Sequence, residues 1–132
     1  MTPTIRFVRR GQALRAMHER ATAEYKTRPV TTFAGYRALL AAMLPEPRTK
    51  EESYLVEAVG MPVSVLSELA TGIILAGDVK PRRIAVLSEV LALPVDDAMH
   101  LIQLDYESAG LVLSPAVAAN LRRALESQAA EL

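Results

Sequence analysis

The side chains able to do chemistry are few and far apart. The chain of 132 residues contains two histidines, His18 and His100, and no cysteine. A zinc or similar metal site needs imidazole, thiolate or carboxylate groups spaced so that three or four converge. Neither histidine has a His or Cys partner at such a spacing. Asp96 and Asp97 follow Pro94 at what reads as a helix start, a place where the helix dipole favours acids, so they read as capping charges before they read as a general acid and base. Ser64 and Ser67 are candidate nucleophiles with no histidine nearby in sequence to take their proton. Neither a Gly-x-Gly-x-x-Gly nor a P-loop pattern occurs. These residues lead us to expect no metal, no cofactor and no catalytic activity.

The distribution of charge is more informative. Fifteen Lys and Arg balance fifteen Asp and Glu, so net charge gives no general attraction to nucleic acid or to an anionic membrane. Residues 1–37 nevertheless carry Arg6, Arg9, Arg10, Arg15, Arg20, Lys26, Arg28 and Arg37 against only Glu19 and Glu24. Such asymmetry fits a basic arm or face, or complementary surfaces within the fold or across a dimer. A second cluster, Lys80, Arg82 and Arg83, stands at a helix start, where each cation opposes the dipole by about 0.3–1 kcal/mol. That helix does not need them for its own stability. Phosphate contact would account for them, and so would pairing with nearby acids such as Asp78.

The elements that must position these groups are helical. Hydrophobic residues make up 51% of the chain and aromatic ones 5%, a mix suited to a core of Leu, Val, Ala and Met. Residues 4–8 alternate as a short strand or arm would. From Gln12 the period lengthens, with Leu14, Met17, Ala21 and Tyr25 on one side until Arg28-Pro29 breaks it. Thr31 or Thr32 caps the next helix, whose face is Phe33, Tyr36, Leu40 and Met43 or Leu44, and Pro45-Glu46-Pro47 stops it. Thr49 and Glu52 form a capping box for a helix that ends at Gly60. Pro62 suits the first turn of the following helix, with Val65, Leu66 and Leu69 inward and Gly72 as its stop. A loop with an apolar front precedes a helix from Pro81, another runs from Val95 to Leu104, and Ser114-Pro115 opens the last. The expected fold is all-α, about seven helices with at most one short strand, in one domain. A basic extension (1–30) precedes a core (31–106) and a C-terminal helix (107–132). No apolar run approaches the roughly 18 residues of a membrane span, and the N-terminus lacks the apolar stretch of a signal peptide. A soluble, cytoplasmic protein with no membrane role is the expectation.

Two stretches carry a family resemblance. In Glu57-Ala58-Val59-Gly60-Met61-Pro62-Val63-Ser64-Val65-Leu66-Ser67-Glu68-Leu69-Ala70-Thr71-Gly72, the aliphatic, Gly, Ser and closing Gly positions resemble the central motif of the lambda-repressor-like (XRE) helix-turn-helix family. Residues 87–102 resemble that family's last two helices, joined at an aliphatic-Pro turn and followed by acids. The resemblance covers about half of the chain. It implies a helix-turn-helix bundle, double-stranded DNA as partner, and a transcriptional regulator that acts as a dimer. It also places Val63, Ser64, Ser67 and Glu68 at the groove-reading positions and Lys80, Arg82 and Arg83 beside the DNA backbone.

The chain departs from that pattern where it matters most. Good base readers are Arg, Lys, Asn and Gln, and the outward face of the third helix has none. The loop after Gly72 is longer than usual and apolar at Ile73, Ile74 and Leu75. Binding would therefore be dominated by phosphate contacts through Lys80, Arg82, Arg83 and the arm residues Arg6, Arg9 and Arg10, with weak base readout. The alternative is a protein-interaction module, antitoxin-like or regulator-binding, that keeps the fold and uses the apolar loop at Ile73, Ile74 and Leu75 to hold a protein partner. Val117, Leu121, Leu125 and Leu132 form a narrow stripe, read as a homodimer seam or as a helix that closes the monomer's own core.

Overall fold

The structure, a computed structural model, describes the backbone of residues 5–130 and the side-chain surroundings of residues 9–130. Seven α-helices and no strand occur among the described residues: α1 (Ile5–Thr27), α2 (Tyr36–Met43), α3 (Lys50–Val59), α4 (Val63–Thr71), α5 (Pro81–Val90), α6 (Val95–Ser108) and α7 (Pro115–Ala130). The expectation of an all-α chain holds. The short strand at 4–8 does not, because α1 is already helical at Ile5 and runs for 23 residues. Five alternating residues were too few to set a period, and the Arg, Gln, Ala and Leu that follow are strong helix formers with no proline before Pro29.

Helix ends explain most of the layout. Thr49 accepts the backbone N–H of Glu52 at 3.2 Å and so opens α3. The Glu52 carboxylate reaches back one residue further than expected, to the N–H of Arg48 at 3.0 Å. That longer reach goes with a left-handed Arg48, φ 64°. Gly60 ends α3 at φ 73°, with its own N–H and that of Met61 both on the Val56 carbonyl. Without a Cβ this conformation carries no steric cost. Met61 then turns inward and is buried, so α4 can begin immediately after Pro62. Pro62 is therefore the cap of α4 and lies just before its first turn.

The start of α2 differs from the sequence reading. Thr31 and Thr32 lie in a separate 3-10 turn (Val30–Thr32), and the Thr32 hydroxyl donates to the Pro29 carbonyl. The residue that caps α2 is Gly35, which has no side chain to offer. Asp105, on α6, supplies the missing acceptor: its Oδ2 takes the Arg37 N–H at 3.0 Å. Asp105 is 5% exposed, and its Oδ1 has no hydrogen-bond partner and lies against Gly35.

One cluster of buried side chains runs from Met17 on α1 to Leu125 on α7. Its central element is α5, which packs on α1, α3 and α7 and buries Ile84, Ala85, Leu87 and Ser88. The Ser88 hydroxyl donates to the Ile84 carbonyl at 2.7 Å and meets the Tyr36 hydroxyl at 2.8 Å. Burial holds the Tyr36 phenol above its ordinary pKa. On the other side α2 packs against α4 and α6.

The C-terminal stripe is used inside the chain. Leu121 and Leu125 are 1% and 4% exposed and belong to the core, with Val117 packed partly against it. Helix α7 lies along α5 and α6, and Arg122 ties it to Asp96 at 3.0 Å. The dimer-seam reading is thereby corrected for Leu121 and Leu125, because a leucine already enclosed by its own chain has no apolar surface left for a second copy; Val117 is half-buried. Leu132, the last member, lies outside the described residues.

Candidate functional site

Helix α4 presents the face expected of it. Leu66 and Leu69 are buried, Val65 is half-buried, and Pro62, Val63, Ser64 and Ser67 are exposed, with Val63 at 48%. The hydroxyls of Ser64 and Ser67 make no hydrogen bond among the described residues, so both are available to an external acceptor or donor. Glu68 is half-buried, and its carbonyl receives the N–H of Ile73 at 2.9 Å as the helix closes at Gly72, φ 81°. Packed against Gly72 is the guanidinium of Arg37 from α2. Sequence reasoning counted Arg37 only as part of the N-terminal charge. Its placement beside α4 follows from the fold of α2 on α4, which no local pattern in the sequence encodes.

The long segment after Gly72 is ordered, and its order bears on the cations that follow. Only Ile73 projects, at 74% exposure; Ile74 is half-buried and Leu75 is buried. The three residues therefore do not make one apolar patch. Ala76–Asp78 forms a 3-10 turn capped by Asp78, whose Oδ2 accepts the Leu75 N–H at 2.9 Å. Tyr106 on α6 fixes the same turn by accepting the Gly77 N–H at 3.0 Å, and a side chain on Gly77 would collide with that hydroxyl. Burial raises the Tyr106 phenol pKa, an effect that the Gly77 N–H opposes.

Asp78 Oδ2 thus accepts from the backbone it caps, and of the two explanations for the basic cluster, pairing with Asp78 is not seen among the described residues. Lys80 and Arg82 are exposed, Arg83 is half-buried, and none of the three has an ion-pair partner among the described residues. They stand in and before the first turn of α5, where the dipole disfavours them. Among the described residues no ion pair offsets that cost.

Helix α1 packs on α3 and α5, while α4 packs on α2. Arg9 is exposed on α1, Arg10 is half-buried, and the side chain of Arg6 lies outside the described residues. Further along α1, Arg20 pairs with Glu51 at 3.2 Å, and Arg28 covers the Phe33 ring at 3.9 Å from its centroid. Part of the N-terminal charge thus serves the fold.

A groove of about 620 Å³ runs beside α4, between it and the turn that links α2 to α3. Val63, Leu66, Ser67 and Ala70 form one wall, Leu44, Pro45 and Pro47 the other, and Glu46 and Glu52 also line it. Nothing in the sequence pattern announced it, since it arises from the approach of two segments separated in the chain. No group of three or more His, Cys, Asp or Glu residues able to hold a metal ion occurs among the described residues. No helix there is long and apolar enough to cross a membrane. Compared with known proteins, the chain matches no family model, no curated protein and no solved structure.

Proposed function

We propose that α2 to α6 form a helix-turn-helix unit of the lambda-repressor-like type and that the protein binds double-stranded DNA, as a regulator or a DNA-associated protein, mainly through phosphates. The observation that carries this reading is the cluster Lys80, Arg82 and Arg83, which has no ion-pair partner among the described residues and follows a turn whose acid, Asp78, accepts the Leu75 N–H. Exposed Val63, Ser64 and Ser67 offer a thymine-methyl contact and two short hydrogen-bonding groups, which supports modest base readout. Fluorescence anisotropy with a mixed-sequence duplex tests the proposal. Binding should weaken steeply with salt, and replacing Lys80, Arg82 and Arg83 by Ala should flatten the log–log slope by about 0.9 for each phosphate that is no longer neutralised. Absence of a complex at low salt refutes it.

The groove beside α4 favours a second reading, a protein-interaction module. Its walls are apolar, its lining residues include Glu46 and Glu52, and it adjoins the face that DNA would need. On this reading a single stoichiometric protein co-purifies from the native cell, and Ala70→Glu abolishes its recovery while the chain stays folded. Unchanged recovery rules the groove out.

A further inference from the structure

The most telling feature outside α4 is a cleft of about 300 Å³ where α1, the C-terminal end of α5 and α7 meet. Its size lies at the lower end of small-molecule sites. Glu89, one of its lining residues, is bonded at two points. The His18 ring donates from Nδ1 to the Glu89 carbonyl at 2.9 Å, and the Gln128 side-chain amide donates to Glu89 Oε2.

These bonds decide what the cleft has left to offer. With Nδ1 committed to the Glu89 carbonyl, Nε2 is the ring nitrogen without a partner among the described residues. Thr22 donates its hydroxyl hydrogen to the His18 carbonyl at 2.8 Å, so its oxygen remains as an acceptor. Glu89 Oε1 and Gln128 Oε1 have no partner among the described residues and are acceptors too. The remaining lining residues are Ala85, Ser88, Ala92, Leu93, Pro94, Val95, Leu125 and Ala129, all apolar except Ser88, whose hydroxyl is already bonded to Ile84 and Tyr36. No Lys or Arg lines the cleft.

We propose that this cleft binds a small organic ammonium ion with an apolar body. The N–H groups would go to Glu89 Oε1, His18 Nε2 and the Thr22 and Gln128 oxygens, and the hydrocarbon to Leu93, Val95 and Leu125. The site shares no residue with α4 or with the Lys80–Arg83 turn, so it stands whether or not DNA is bound.

The test is NMR titration of the intact chain with benzylamine, benzyl alcohol and benzoate in parallel. Benzylamine should shift the His18 ring and Gln128 side-chain signals saturably at concentrations up to roughly 10 mM. Benzyl alcohol should bind about tenfold more weakly or worse, since it lacks the charge-assisted bonds; benzoate should not bind. Glu89→Gln should weaken benzylamine by about tenfold or more, and Thr22→Phe, which puts a bulky ring on the cleft lining while Glu89 itself is kept, should abolish binding. Equal binding of all three probes, no saturable shift with benzylamine, or full affinity in a folded Thr22→Phe protein overturns the proposal.

Discussion

Replacing Asp105 tests how far one distant carboxylate holds α2 in place. Asp105→Ala removes the acceptor of the Arg37 N–H and leaves Gly35 with nothing to take over. Loss of an N-cap acceptor costs about 1–2 kcal/mol, and the freed donor is part-buried, so we expect a loss of about 2 kcal/mol. In a domain of this size that lowers the melting temperature by about 5–10 °C. Asp105→Asn keeps a carbonyl acceptor and should recover most of the loss. The two variants also separate in pH. Burial raises the Asp105 carboxyl above its ordinary value of 3.8, opposed by the Arg37 N–H and guanidinium. The folded state therefore holds this proton more tightly than the unfolded chain. Its contribution to stability falls as pH rises from 3.8 through the folded pKa, and stays constant above it. Asp105→Asn abolishes that titration, so it should gain on the wild type across the same window. Gly35→Ala completes the cycle. An added Cβ collides with Asp105 Oδ1, so its cost should shrink by about 1 kcal/mol or more in the Asp105→Ala background. Urea denaturation between pH 3 and 8 reads all of this. An Asp105→Ala loss below about 0.5 kcal/mol, or additivity with Gly35→Ala, would refute the reasoning.

Three further outcomes follow from the packing. Leu121→Ala should destabilise by about 2–5 kcal/mol with a melting temperature independent of protein concentration; a concentration dependence would point back to a seam between copies. Gly60→Ala meets open space but must hold φ 73°, so chemical denaturation should show a loss of about 1 kcal/mol, whereas Gly72→Ala should lose more because Arg37 blocks the new methyl. Arg82→Ala should leave stability unchanged or raise it by about 0.3–1 kcal/mol, a result reversed if the cluster has an intramolecular partner.

What was legible in the sequence was local. Thr49, Gly60, Gly72 and the Pro94 and Pro115 boundaries are governed by a few neighbouring residues, and the structure keeps each of them. What failed depended on partners far along the chain. The cap of α2 comes from a residue on α6, so reading residues 29–36 alone favoured Thr31 or Thr32. Leu75 read as part of an apolar loop open to a partner because Tyr106 and Asp78, which hold that loop against the core, contribute through hydrogen bonds rather than periodicity. The stripe on α7 was visible, but its destination was not, since an apolar seam has the same spacing whether it meets α5 of its own chain or another copy. The cations at 80–83 were legible as a cluster, and their lack of a partner became visible only once Asp78 was placed.

The position of α5 also sets the smallest piece of this chain that can exist alone. A fragment cut to residues 33–106, the part that resembles a transferable module, would strip both α1 and α7 from α5. The apolar flank that now meets Leu121, Leu125 and Met17 would face water. Such a fragment should aggregate or recruit a substitute helix, so a graft, fusion or truncation of the central unit should keep both flanking helices to stay folded.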